Sequence, residues 1–296
     1  MSTVSRCGYV AIVGRPNVGK STLLNALLGS KVSITSDKPQ TTRFQILGIK
    51  TQDSSQAIYI DTPGLHQNEV SAMNRYMNRL ASAVIPDAQV ILFVIEARKW
   101  TDEDNLVLSK FEKTMAPVIL VVNKIDLLGD KKELLPFMDS VKEKYPFAQI
   151  IPVAAAKSEN LAHLEQIISQ YLPESPHLFP DEQVTDKNEK FQIAEIVREK
   201  LIEATEQEVP YYTTVEVEDW KTEEKRDEIS VLIWVEREGQ KLIVIGKKGE
   251  RLKWIGIEAR KEIEKLLKKK VFLRLWVKIK ERWTDDDRAL RQLGYN

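Results

Sequence analysis

Chemical capacity concentrates first in Gly14-Arg-Pro-Asn-Val-Gly-Lys-Ser21, spaced G-x-x-x-x-G-K-S between the apolar run Tyr9–Val13 and the helix-forming run Thr22–Leu28. A glycine loop between a strand and a helix turns successive backbone N–H groups toward one anion, with the positive end of the helix behind them. In such a loop Lys20 reaches terminal phosphates and the Ser21 hydroxyl ligates Mg²⁺. Gly14 and Gly19 are expected to be glycine because a side chain would hold the loop off the anion. Arg15, Pro16, Asn17, Val18 and Thr22 complete the candidate cradle. A plain glycine turn is the alternative, and the flanking strand and helix weigh against it.

Three further clusters follow apolar runs or lie between them. Asp61, Thr62, Pro63, Gly64 and Leu65 come after Ala57–Ile60. An aspartate there holds a water ligand of Mg²⁺, and the Gly64 N–H meets a γ-phosphate only when that phosphate is present, an order–disorder switch. Asn123, Lys124 and Asp126 come after Val118–Val122. A carboxylate at Asp126 accepts both N1–H and N2–H of guanine, whereas adenine would leave it unpaired at roughly 2–5 kcal/mol. Asn123 is expected to bind the base edge and tie this loop to the phosphate loop, while the Lys124 stem covers the ring. Between the first two clusters, Ser36-Asp-Lys-Pro-Gln-Thr-Thr-Arg-Phe44 offers a threonine for the Mg²⁺ shell, with Thr42 preferred to Thr41.

These clusters need a scaffold. Short apolar runs at Tyr9–Val13, Ala57–Ile60, Val90–Ile95, Val118–Val122 and Gln149–Val153 alternate with helical patterns, which predicts a parallel sheet covered on both faces. Ligands of open α/β sheets sit beyond the carboxyl ends of the strands, where the clusters lie. The expected organisation is a nucleotide domain over residues 1–172, a proline-rich linker over 173–188 and a second domain over 189–296. In the second domain a helix is expected over Glu189–Gln207. A hairpin of Tyr212–Val217 and Ile229–Val235 follows, split by the charged Glu218–Glu228. The apolar Leu242–Ile245 then leads into Gly246-Lys-Lys-Gly249, helical segments are expected over Glu250–Ile255 and Ile257–Lys269 with Gly256 between them, and a strand runs over Val271–Val277. Close backbone approach at Gly246 and Gly249, with charge from Lys247, Lys248, Arg251 and Lys253, suits a single-stranded nucleic-acid backbone. Trp254 and Trp276 read as core aromatics, with base stacking as the alternative. The tail reads as a short helix with Thr284 as N-cap and Gly294 just past its last turn.

Composition sets the limits. The 44 basic and 44 acidic residues cancel over 296 positions, but residues 189–240 carry 7 Lys/Arg against 15 Asp/Glu and residues 241–282 carry 15 against 5. That asymmetry marks a basic face around the second glycine loop. Cys7 is the one cysteine, so no intramolecular disulfide forms and a reducing compartment is expected. No signal-peptide-like start and no apolar run of ~18 residues is present, so a soluble or at most membrane-peripheral protein is expected.

Taken together, G-x-P-N-x-G-K-S, D-T-P-G, N-K-x-D and the later G-x-x-G resemble the Era family of translation-factor-related GTPases. The resemblance implies an α/β P-loop GTPase domain with a mostly parallel sheet, plus a smaller α+β KH domain of type II. It implies GTP/GDP and Mg²⁺ as ligands, slow GTP hydrolysis and binding to the 3′ end of small-subunit ribosomal RNA. Assistance to small-subunit assembly, a monomeric state and a cytoplasmic location with peripheral contact to the bacterial inner membrane also follow from it. Asn17 matches the asparagine that potassium-dependent relatives use to hold K⁺, with loop capping as the alternative. With Gly64, Lys20 and Thr42 it forms the candidate catalytic set. Leu65 stands where Ras-like switches carry the glutamine that orients water. In Val153-Ala-Ala-Ala-Lys157 a backbone N–H near Ala155 is expected to meet guanine O6, and Ala154 stands where similar proteins carry serine. A GTP-sensing module with negligible turnover, and a second domain that contacts protein or membrane, are the competing readings.

Overall fold

The computed structural model describes residues 5–38, 40–65, 71–205 and 209–295. The described chain divides by contacts into two units, with the break between Asp186 and Lys187.

In the first unit the strands are β1 (Arg6–Val13), β2 (Ile46–Gln52), β3 (Ser55–Asp61), β4 (Val90–Glu96), β5 (Val118–Asn123) and β6 (Gln149–Pro152). The helices are α1 (Lys20–Leu28), α2 (Ala72–Ala83), α3 (Asp102–Ser109), α4 (Leu134–Lys142) and α5 (Leu161–Tyr171). The strands form one sheet in the order β2-β3-β1-β4-β5-β6, parallel except for the antiparallel β2–β3 pair. Continuous apolar strands are explained by two layers of core. Val10, Ile12, Leu92, Val94 and Val121 pack with Leu23, Leu24, Leu27 and Leu164 on one face. Ala11, Val13, Ile91, Phe93 and Val122 pack with Val107, Phe111 and Val141 on the other. From β1 the chain goes to β3 on one side and later to β4 on the other, so the loop after β1 lies at the switch point of the sheet.

Strand β2 is absent from the sequence expectations, because Gly48, Lys50 and Thr51 break its apolar run. Pairing with β3 holds it in place. The expected linker is docked on the first unit rather than free of it. Cys7 N–H donates to Pro173 O at 3.1 Å and Ile49 N–H to Val184 O at 2.8 Å. The buried Gln56 amide accepts from Leu178 and Phe179 N–H and donates to Phe179 O.

The second unit runs α6 (Glu189–Ala204), β7 (Thr214–Thr222), β8 (Asp227–Val235), α7 (Glu238–Ile245), α8 (Glu250–Leu267), β9 (Val271–Ile279) and α9 (Asp287–Gln292). The sheet order is β7-β8-β9, with β7–β8 antiparallel and β8–β9 parallel. Ile193, Val197, Leu201, Ile255, Ala259 and Ile263 pack on one face of it against Ile229, Val231 and Ile233.

Four expectations change here. Helix α6 ends at Ala204, and the expected end at Gln207 lies outside the described residues. The hairpin strands extend into the charged segment. Asp227 is held there by Lys269 at 2.5 Å and by the Trp220 indole at 3.0 Å. Gly256 does not divide α8: glycine in mid-helix costs about 1 kcal/mol against alanine, and burial of Ile255, Ala259 and Ile263 outweighs it. Finally, Asp286 caps α9 by accepting from Arg288 and Ala289 N–H, in the place expected of Thr284; Thr284 is buried and donates its N–H and hydroxyl to Glu236. Gly294 follows the last turn at φ 86°, as expected.

Candidate functional site

The loop from Gly14 to Gly19 joins β1 to α1, and the first N–H groups of α1 open into it. Its glycines are required by protein neighbours, a reason beyond the approach to an anion expected from the sequence. A Cβ at Gly14 would stand 2.4 Å from Val94 O, and one at Gly19 would stand 2.4 Å from Asn123 Nδ2. Lys20 is buried, with Nζ donating to Gly14 O at 3.0 Å and Arg15 O at 2.9 Å. Burial pulls its pKa from 10.5 to about 8, and the nearby Asp61 carboxylate only partly opposes this. An ammonium held that close to neutrality gains strongly from a phosphate.

Three separate elements bring oxygen donors together beside it. The Ser21 hydroxyl lies 2.7 Å from the Thr42 hydroxyl and donates to Asp61 Oδ2 at 2.7 Å. Ser33, absent from the expected set, also donates to Asp61 Oδ2, at 2.9 Å. A hydroxyl inside the apolar Val32–Ile34 run was the signal for it. Burial raises the Asp61 pKa, against hydrogen bonds from Ser21 and Ser33 and the charge of Lys20. Its Oδ1 is buried with no partner among the described residues. An orphaned carboxylate oxygen beside two converging hydroxyls fits a hard cation with oxygen ligands. Ser21, Thr42 and Asp61 would hold Mg²⁺, which when bound neutralises charge on the phosphates. Thr41 instead donates its hydroxyl to Lys38 O.

Asn17, Lys20, Ser21, Thr22, Thr42 and Gly64 line one cavity with Pro16 and Gly19. A Cβ at Gly64 would come within 2.8 Å of Pro16 Cα, so the loop after β3 rests on the phosphate loop. Asn17 Nδ2 donates to Asp37 O at 2.8 Å, which ties that loop to the segment before Thr42.

Other nominated side chains serve the scaffold. Arg15 turns away from the cavity to Asp104 at 3.2 Å and Glu96 at 3.3 Å. Val18 is buried in the core, Thr62 donates to Ile12 O, and Pro63 is buried. Leu65 is 2% exposed and packs in the cluster of Ala11, Val13 and Ile60, so its side chain contributes core rather than a contact to nucleotide.

The base-reading loops are tied through one amide. Asn123 Nδ2 donates to Val18 O at 2.9 Å, the link anticipated from sequence. Its Oδ1 accepts from Ala155 N–H at 3.1 Å, so the N–H expected to meet guanine O6 is already engaged. Ala154 is fully buried behind it. Asp126 stands in a helical turn after β5, 3.7 Å from Lys157. Lys124 has φ 65° and lies 3.6 Å from Glu96. Burial disfavours the Glu96 charge, but Lys124, Lys99 and Arg15 outweigh it and hold the carboxyl below its usual range. No motif marks Glu96 in the sequence, because its partners come from three different loops.

In the second unit Gly246, at φ 75°, has no room for a side chain: a Cβ would stand 2.7 Å from Arg251 Cβ. Gly249, at φ 80°, leads into α8. Lys247, Lys248 and Lys253 are exposed, while Arg251 donates to Ile243 O and closes the loop. Trp254 and Trp276 are 43% and 56% exposed, so neither is a core residue.

Comparison with known proteins agrees with both sites. A family model described as 50S ribosome-binding GTPase matches residues 9–124, and one described as KH domain matches residues 208–284. GTPase Era of Pseudomonas fluorescens is 55% identical over 294 residues, 99% of this chain and 98% of that protein. GTPase Era of Marinobacter nauticus is 54% identical over 98% of this chain and 95% of its own length. A crystal structure of Era in complex with MgGDPNP and nucleotides 1506–1542 of 16S ribosomal RNA has a TM-score of 0.95 and 43% identity, covering 98% of this chain and 99% of that one. A point variant of Aquifex aeolicus Era bound to GDP·AlF₄⁻ matches with a TM-score of 0.94 and 43% identity over the same shares. A relative more than half identical over nearly the whole of both chains settles the family: the chain belongs to the Era family of GTPases.

Proposed function

We infer that the first unit binds and hydrolyses GTP and that the state of the γ-phosphate governs how the second unit engages single-stranded RNA at the 3′ end of small-subunit ribosomal RNA, in assembly of the small subunit. One observation carries this reading. Ser21, Thr42 and Asp61, from the phosphate loop and both switch segments, meet within 2.7 Å contacts beside a buried lysine. At that junction Ser21, Thr42 and Asp61 would hold Mg²⁺ beside a γ-phosphate, which would tie both segments to the state of the nucleotide. Two family members support it with their ligands, one with MgGDPNP and 16S nucleotides 1506–1542, the other with GDP·AlF₄⁻. That RNA is longer than the four nucleotides a G-x-x-G loop clamps.

The residues divide the work. Asp126 reads guanine and Asn123 braces its loop. Lys20 and the first N–H groups of α1 neutralise the phosphates, and the Gly64 N–H senses the terminal one. Leu65 is committed to the core, so no side chain at that position orients water. Asn17 would then hold K⁺ through its amide oxygen and supply the charge that an arginine finger supplies elsewhere, worth about 10³–10⁵ in rate. Equal GTPase rates in KCl and NaCl at matched ionic strength refute this role. A monomer in the cytoplasm, with peripheral contact to the inner membrane, completes the reading. No described helix is long and apolar enough to cross a membrane. RNA affinity measured with GDP and with a non-hydrolysable GTP analogue tests the coupling directly: the ratio is the coupling constant, and a ratio of one removes the switch.

A further inference from the structure

The outer face of the second sheet has no part in the loop reading, yet it is built like a binding surface. On β9, Val271, Leu273, Leu275 and Val277 turn into the core. Phe272, Arg274, Trp276 and Lys278 therefore point outward, spaced roughly 6.8 Å apart as alternate residues of a strand. Phe272 is 40% exposed and Trp276 56%. This row contains no carboxylate, and β9 is an edge strand flanked on one side by Lys268, Lys269 and Lys270, of which the last two pair with Asp227 and Glu264, and on the other by Lys280, Glu281 and Arg282.

Its neighbours arrange rings and cations together. Arg274 and Arg226 lie 4.9 and 5.1 Å from the Phe272 ring centroid, and Lys278 and Lys280 each lie 6.0 Å from the Trp234 ring. Leu232 on β8 stands opposite Trp276. The acidic groups near this face come from the two neighbouring strands. Glu228 pairs with Arg226 and Arg274, Glu218 pairs with Lys278 at 3.1 Å, and Glu216 accepts from the Trp234 indole. Glu216 and Glu218 lie on β7 and Glu228 lies on β8 opposite Phe272, while the outward side chains of β9 itself carry only positive charge. Aromatic and guanidinium planes alternating with ammonium groups match what single-stranded nucleic acid requires, a surface for bases beside a track for phosphates. Tryptophan and arginine also anchor protein interfaces, but an edge row whose only charges are cations favours a polyanion.

We propose that the outer face of β9 is a second contact for single-stranded RNA, separate from the Gly246–Gly249 loop, with bases stacking on Trp276 and on the Phe272–Arg274 pair and phosphates meeting Arg274 and Lys278. It rests on the reading of the second unit as an RNA binder and adds where a longer RNA goes.

The test uses the full chain and two single-stranded RNAs, one of about four nucleotides, the length such a loop clamps, and one several times longer. Trp276→Ala should weaken the long RNA roughly five- to a hundredfold, the scale of one lost base stack, and leave the short one unchanged. Trp276→Phe should recover most of the loss. Unchanged thermal unfolding separates this from misfolding. Lys247→Ala with Lys248→Ala should weaken both RNAs. If that pair has no effect while Trp276→Ala does, the loop reading fails and this surface stands. If Trp276→Ala binds the long RNA like the parent chain, the proposal is overturned. It is equally overturned if the variant loses affinity for whole small subunits while binding naked long RNA normally, since the face is then a protein interface.

Discussion

Two glycine loops in this chain carry lysine, and they do so in opposite environments. Gly14–Gly19 is walled by β4 and the Asn123 amide, with Lys20 buried and its pKa pulled down to about 8. Gly246–Gly249 projects from the second unit with Lys247 and Lys248 exposed. In the first, a charge stripped of water can recover its solvation only from the ligand, so binding is strong and geometrically exacting. In the second, water and salt compete at every contact, so binding is adaptable and adds up over many weak contacts. The contrast suits a site that must hold one nucleotide and a surface that must track a strand.

Side-chain removal gives the widest separation between the loops. Lys20→Ala should lower GDP affinity by a factor corresponding to about 2–5 kcal/mol, read by titration with a fluorescent nucleotide. Lys247→Ala should cost RNA affinity no more than about 1 kcal/mol, the scale of an exposed ion pair. Losses of similar size in the two loops would break the comparison.

Backbone substitution comes next. Gly19→Ala adds an overlap with Asn123 to the strain of φ 95°, and should destabilise the first unit by about 2–5 kcal/mol. Gly249→Ala has open space around its Cβ and φ 80° alone to bear, about 1–2 kcal/mol. Thermal unfolding of the two variants should rank them in that order.

Proton linkage is subtler. The folded Lys20 pKa is depressed from 10.5 to about 8. Between those values the unfolded chain binds a proton that the folded chain does not. The stability of nucleotide-free protein therefore gains from Lys20 as pH rises from about 8 toward 10.5. Phosphate contact restores the charge, so nucleotide binding near pH 8 should take up part of a proton. Calorimetry in buffers of different ionisation enthalpy reads it, and no buffer dependence would contradict the buried lysine.

The smallest effect lies in salt dependence. Each of Lys247→Ala and Lys248→Ala should reduce the slope of log affinity against log salt by ~0.7. An unchanged slope would remove those lysines from the RNA contact.

Much of the nucleotide site was legible because its contacts are local in sequence. Spacing puts lysine and serine at a helix start, and a carboxylate at a strand end, whatever the rest of the fold does. The side-chain contacts that the sequence left unread share a cause. Arg15 sits inside the motif, yet Asp104 and Glu96 from distant elements take its guanidinium. Ala155 lost its N–H to Asn123, and Leu65 went to a core assembled from distant strands and helices. Trp276 shows the reverse: its apolar character suggested burial, but strand alternation with Leu275 and Val277 turned it outward.

The sequence by itself determined the strand-loop-helix units, the carboxylates that follow β3 and β5 and the basic second half, because propensity, periodicity and charge act over a few residues. The tertiary structure alone decided that Ser21, Ser33, Thr42 and Asp61 share one junction and that one amide joins three loops. It also decided that Trp276 faces solvent. Those outcomes depend on which strands become neighbours, and that is settled by packing the two faces of a sheet against helices far apart in the chain.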